Sequence, residues 1–151
     1  MTLQNNENLH RLLFRGSSMS PLIPSSATHI LVDFNKHQIR RVGDIFLYKD
    51  HEEWICHRFL GFAPSGLLFK GDFSTVMEIK KNSQGFAQVL GWADDHGEYI
   101  FKDSPKLMKG FVFLQKKSVF SKLATMRKMY RMGARIYVYC LKRFFIRKRN
   151  Q

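Results

Sequence analysis

Glu53-Trp54-Ile55-Cys56-His57-Arg58-Phe59-Leu60-Gly61-Phe62, broken at Pro64-Ser65-Gly66 and resumed as Gly66-Leu67-Leu68-Phe69-Lys70, decides how this chain is read. The first run is rich in aromatic and β-branched residues, the break carries turn formers, and the second run is short and apolar, so two consecutive strands are expected. On a strand, neighbouring side chains point to opposite faces. Cys56 and His57 therefore cannot enter one site together; if His57 faces a cleft, Cys56 packs behind it as a small core residue.

The same texture extends outward. His29–Phe34, Asp44–Lys49, Ala87–Trp92 and Glu98–Asp103 read as further strands, separated by turn-like breaks at 24–26, 42–44, 82–85 and 94–97. Residues 1–10 read as a loose polar leader. Strands at this spacing, with no long helix among them, imply a mainly β fold, a small coiled β-barrel-like domain over residues 1–113. After Gly110 the period changes. Val119, Leu123, Met126, Tyr130, Ala134, Tyr137, Leu141 and Phe144 recur every three or four positions, with Lys and Arg filling much of the remainder. Residues 114–151 thus read as an amphipathic basic helical tail, either one bent helix or two shorter ones around Gly133.

Bulk composition narrows the classes. A chain of 151 residues with 44% apolar content is long enough for one globular domain with an appendage. The net charge of +13 is unevenly placed: residues 1–103 hold 11 Lys and Arg against 12 Asp and Glu, whereas residues 104–151 hold 14 Lys and Arg and no acid. Cys56 and Cys140 lie far apart, without the spacing of a disulfide framework or a metal site. Neither a metal nor an organic cofactor is implied. No apolar run approaches eighteen residues and no signal peptide is read at the start, so the expected location is cytoplasmic or peripheral to a membrane.

Four ordered blocks carry the chemistry: Gly16-Ser17-Ser18-Met19-Ser20-Pro21, Gly43-Asp44, His57-Arg58 and Lys70-Gly71-Asp72, with Glu78 six residues later. A hydroxyl is a weak nucleophile until a base takes its proton, and a base titrating near neutrality works best when an acid fixes its tautomer. Ser18, His57 and the carboxylates of Asp72 and Glu78 supply those three roles, with either carboxylate able to orient His57.

These blocks resemble the type I signal peptidase family, within the clan that includes LexA-like self-cleaving proteins. The family's Gly-x-Ser-Met-x-Pro motif corresponds to Gly16–Pro21, and its glycine-aspartate box to Gly43-Asp44. His57-Arg58 is similar to the base box of the serine–histidine branch, where other members have Lys-Arg. The resemblance covers roughly residues 14–92. It implies a signal peptidase/LexA-type catalytic domain in which Ser18 is nucleophile, His57 general base, and Asp72 and Glu78 supporting acids. It also implies a peptide or protein substrate, leader-like or extended, with small side chains before the cleaved bond. The chain departs from the family at Glu78, where an aspartate is usual, and at Phe73, where an asparagine commonly follows the box; the N-terminal membrane anchor usual in the family is not expected here.

The rival reading is a degenerate fold that binds a peptide or a membrane without cutting. For the basic tail, three partners compete: an anionic membrane surface, the β-domain itself, and nucleic acid. The last is disfavoured because no recognised reader motif accompanies the charge.

Overall fold

The computed structural model describes residues 9–20, 22–35, 41–81, 85–101, 105–120 and 123–149; of these, the side chains at 105–107, 119, 141–143 and 145 are left out of the description. Pro21, residues 1–8 of the expected leader, residues 82–84 of one expected turn, Asp103 and Lys122 fall outside it. Eight strands lead into two helices and a closing strand. They are β1 (Leu9–Leu13), β2 (His29–Asp33), β3 (Ile45–Asp50), β4 (Glu53–Ala63), β5 (Gly66–Lys70), β6 (Glu78–Lys80), β7 (Phe86–Asp94), β8 (Gly97–Phe101), α1 (Pro105–Phe120), α2 (Ala124–Phe145) and β9 (Ile146–Lys148).

The fold is mainly β, with the strands in one curled half-barrel sheet. Its order is β1-β2-β7-β3-β4-β5-β6, with β8 joined to both β7 and β9, and every pairing is antiparallel. β7 makes the curl possible. Its first half lies between β2 and β3, and its second half between β2 and β8, with a register shift at Leu31/Val32 on the β2 side. Such irregularities bend the bulged strand and increase its twist.

Period-two alternation sorts the central strands into two faces. Ile45, Leu47, Cys56, Ala87 and Val89 join Met19, Leu22 and Ile23 in a core that reaches Phe111 of α1 and Ala134 and Val138 of α2. Phe46, Tyr48, Phe59, Leu67, Phe69 and Phe86 fill the opposite side as an aromatic cluster. Phe69 stacks on Phe86 at 5.3 Å between centroids, and Phe46 meets Phe69 edge-on at 6.3 Å, geometries that suit the ring quadrupoles.

The chain beyond β8 is built into this body. Phe111, Val112, Gln115 and Ser118 are buried on α1, so the expected boundary between 113 and 114 falls inside a helix with buried residues on both sides of it. α1 ends at Phe120 and α2 begins at Ala124, and Gly133 is carried within α2. α1 and α2 meet closely at Gly110, where an added Cβ would stand 2.9 Å from Tyr137 Oη. β9 then returns to the sheet, pairing Tyr99 with Lys148 and Phe101 with Ile146, while Arg149 bridges to Glu98 at 3.1 Å. β1 likewise falls partly in the expected leader: Leu9–Leu13 pairs with β2 from Leu9↔Asp33 to Leu13↔His29. No described helix is long and apolar enough to cross a membrane.

Candidate active site

β4 carries His57 and Arg58 to opposite faces, and the two residues do different things. His57 lies opposite Phe46 on the aromatic side, and Arg58 lies opposite Ile45 on the helix side. Cys56 shares the helix side with Arg58, is buried, and its thiol pKa is pushed up to about 12, first by burial and then by the charge of Asp72. It is a core residue behind the histidine, as strand alternation requires.

On the His57 side, three groups meet at the imidazole. Nδ1 lies 3.2 Å from Glu78 Oε1 and 3.1 Å from the Tyr48 hydroxyl, and that hydroxyl donates to Glu78 Oε2 at 3.0 Å. With the Tyr48 proton directed at Glu78, the tyrosine oxygen and Glu78 Oε1 both face Nδ1 as acceptors. That assigns the ring proton to Nδ1 and leaves Nε2 as the acceptor. Burial pushes the Tyr48 phenol pKa far up, and the negative Glu78 raises it further, so the hydroxyl keeps its proton.

Nε2 faces the serine turn across Gly71. A Cβ added at Gly71 would stand 3.0 Å from His57 Nε2 and 2.9 Å from both Ser18 Cβ and Ser18 O. Ser18 Cβ and His57 Nε2 thus lie within about 6 Å of each other. Any side chain at Gly71 would wedge them apart. The turn itself is pinned from two directions. Met19 is wholly buried in the core with Leu22 and Ile23, Ile23 N–H donates to Met19 O at 3.1 Å, and Phe73 N–H donates to Ser18 O at 2.7 Å. Ser18 is left half-buried at the surface of that anchor.

Asp72 is elsewhere. Its carboxylate takes a bidentate pair from Arg58, Nε to Oδ1 at 2.8 Å and Nη2 to Oδ2 at 2.6 Å, and both side chains are almost completely buried. Arg58 Nη1 also donates to Gly43 O at 2.5 Å, and its guanidinium lies 4.9 Å from the Phe111 ring centroid. Arg58, bound to Gly43 O and to Asp72, therefore ties the Gly43-Asp44, His57-Arg58 and Lys70-Gly71-Asp72 blocks together behind the site, and the geometry gives Glu78 the contact with His57. The two acids diverge for a positional reason. Glu78 sits opposite Phe69 in the β5–β6 pairing and points to the aromatic side with it, whereas Asp72 is two residues beyond Lys70, which faces the helices.

Lys70 completes the rear network. Its ammonium donates to Gln115 Oε1 and, at 3.2 Å, to Gly71 O, while Gln115 Nε2 donates to Asp72 O at 3.0 Å. Burial lowers the Lys70 pKa to about 8, against the pull of Asp72. Burial also lowers the His57 pKa below the ordinary imidazole value, with Glu78 and then Asp72 opposing it. The imidazole is therefore the uncharged form at neutral pH, as a proton acceptor must be.

Sequence reasoning missed Tyr48 and Gln115 as parts of this arrangement, and named Gly71 within its block without a role of its own. Tyr48 shares the parity of Phe46, the partner of His57, so alternation along β3 was a usable signal; for Gln115, in a helix distant in sequence, no comparable signal exists. No group of three or more His, Cys, Asp or Glu able to hold a metal occurs among the described residues. No protein-family model, no curated protein and no solved structure matches this chain.

Proposed function

We propose that this chain is a serine endopeptidase of the signal peptidase type, with Ser18 as nucleophile and His57 as general base. The observation that carries this reading is the polarity of the His57 ring: Nδ1 is held by Glu78 and Tyr48, and Nε2 is turned across Gly71 toward Ser18. In the proposed reaction Ser18 Oγ attacks a peptide carbonyl carbon as its proton passes to Nε2. The imidazolium, stabilised by the Glu78 carboxylate, then protonates the departing amine. Water, deprotonated by the same nitrogen, hydrolyses the resulting acyl ester and regenerates Ser18. The finer fold assignment, a signal peptidase/LexA-type catalytic domain, belongs to this proposal; the ordered blocks converging around Gly71 support it.

An extended peptide suits the surroundings as substrate. β6, which carries Glu78, ends the strand order beside β5, and the exposed Phe73, Val76 and Ile79 offer apolar surface along the same segment. A peptide added there as a further strand would lie with its backbone beside the Ser18 turn.

The test is incubation of the purified chain with a library of extended peptides, reading new N-termini by mass spectrometry. Cleavage by the wild type and none by Ser18→Ala or His57→Ala is the expected result. Equal cleavage by Ser18→Ala, or no cleavage by any form, overturns the assignment and leaves a non-catalytic binding module.

A further inference from the structure

We propose that the outward face of α2 docks on an anionic lipid bilayer. The helix is apolar on two sides. Ala134 and Val138 face inward and are fully buried in the core. On the opposite side Met129, Met132, Ile136 and Tyr139, spaced three, four and three residues apart, are 67%, 57%, 54% and 76% exposed. At 100° per residue these four fall within one narrow arc facing away from Ala134, and Lys128 and Arg135 border it. A helix whose only role is to pack on its own domain presents a polar outer face; this one presents four large apolar side chains to water.

Charge identifies the occupant. The segment 104–151 contains 14 Lys and Arg and no acid, so an acidic surface is attracted to the whole helical layer. A bilayer bearing anionic headgroups meets both requirements at once, accepting the Met-Ile-Tyr stripe at the acyl boundary and the flanking cations at the phosphates. Free polyanions such as nucleic acid satisfy only the second. The same border reaches the proposed active site. The Arg135 guanidinium lies 3.8 Å from the Phe73 ring centroid, and Phe73 N–H holds Ser18 O. Resting on the peptidase reading, docking through this face would set the Ser18 cleft close to a membrane surface, where extended segments of membrane-bound substrates emerge.

The experiment is sedimentation of the full chain with vesicles of phosphatidylcholine alone and of phosphatidylcholine mixed with phosphatidylglycerol. The wild type is expected to partition onto the mixed vesicles and much less onto the neutral ones. Met132→Glu/Ile136→Glu should weaken that partitioning by about tenfold or more at unchanged thermal midpoint, since both positions are exposed. Ser18→Ala should bind as the wild type does, so failure of the peptidase reading leaves this measurement intact. Equal binding to both vesicle types, no binding at all, or undiminished binding of the double variant would each overturn the proposal. The last outcome would mark a purely electrostatic surface of the kind a nucleic acid also fits.

Discussion

His57 with Glu78 and Arg58 with Asp72 are two base–acid pairs from adjacent residues of one strand, and they occupy opposite physical regimes. The Arg58–Asp72 pair is bidentate, almost wholly buried, and closed on the remaining side by Gly43 O. Separating the two partners in that interior is costly. The His57–Glu78 contact is longer, at 3.2 Å, with Glu78 part-exposed, and involves a ring whose pKa burial has lowered. That ring is uncharged at neutral pH and keeps Nε2 open to accept a proton. A buried, geometrically saturated pair serves as a rivet; a looser pair with one open nitrogen can take part in chemistry.

The sharpest way to break this contrast is to remove one acid from each pair. Asp72→Ala leaves Arg58 buried and unpaired, and should cost about 3–5 kcal/mol of stability, read as a lower denaturation midpoint. Retained stability with lost activity would instead place Asp72 in the chemistry. Glu78→Gln should do the reverse, lowering turnover by about a hundredfold or more while the fold persists.

The same variant moves the pH profile in a defined direction. In the proposed reaction neutral His57 is the base, so activity should rise with pH through a midpoint below the ordinary imidazole value of about 6.5. Glu78 favours the protonated ring; its loss should shift that midpoint lower still. A shift upward would mean that Glu78 does not act on His57.

Gly71→Ala tests the space between the two halves of the site. The added methyl group collides with Ser18 and the His57 ring, and the displacement should reduce turnover by about a hundredfold with a smaller loss of stability. The smallest effect is expected from Lys70→Met. Because its pKa is lowered to about 8 in the fold, the unfolded chain binds more protons between pH 8 and the ordinary lysine value, and stability rises with pH across that window. The methionine variant should lose this rise and, because the Lys70 charge also lowers the His57 pKa, move the acid limb of activity slightly upward. Loss of activity across the whole pH range, at retained stability, would make Lys70 the base.

Much of this was legible in advance. β5 runs from Gly66 to Lys70 as expected, and β4 differs from its expected span by one residue at the C-terminal end, because turn formers bracket both. The placement of Cys56 behind His57 followed from alternation alone. β6 and β9 were not legible: each has three residues, too few to display a period. β1 lies where the polar neighbourhood of residues 1–10 masks a strand that depends on β2 for its pairing. Along α2 the expected stripe ran through Met126, Tyr130, Ala134 and Tyr137, and Ala134 is indeed buried; the second stripe through Met129, Met132, Ile136 and Tyr139 went unseen. A helix with apolar residues on both sides offers two overlapping periods, and only docking against the sheet reveals which is turned inward.

By itself the sequence determined the mainly β character, the strand that bears His57, and the residue types available for proton transfer, because alternation and turn chemistry are local. Which carboxylate serves the histidine was decided by the tertiary structure. Asp72 and Glu78 are close along the chain, and only the β5–β6 pairing and the packing of α1 behind β4 send one toward the imidazole and bury the other against Arg58.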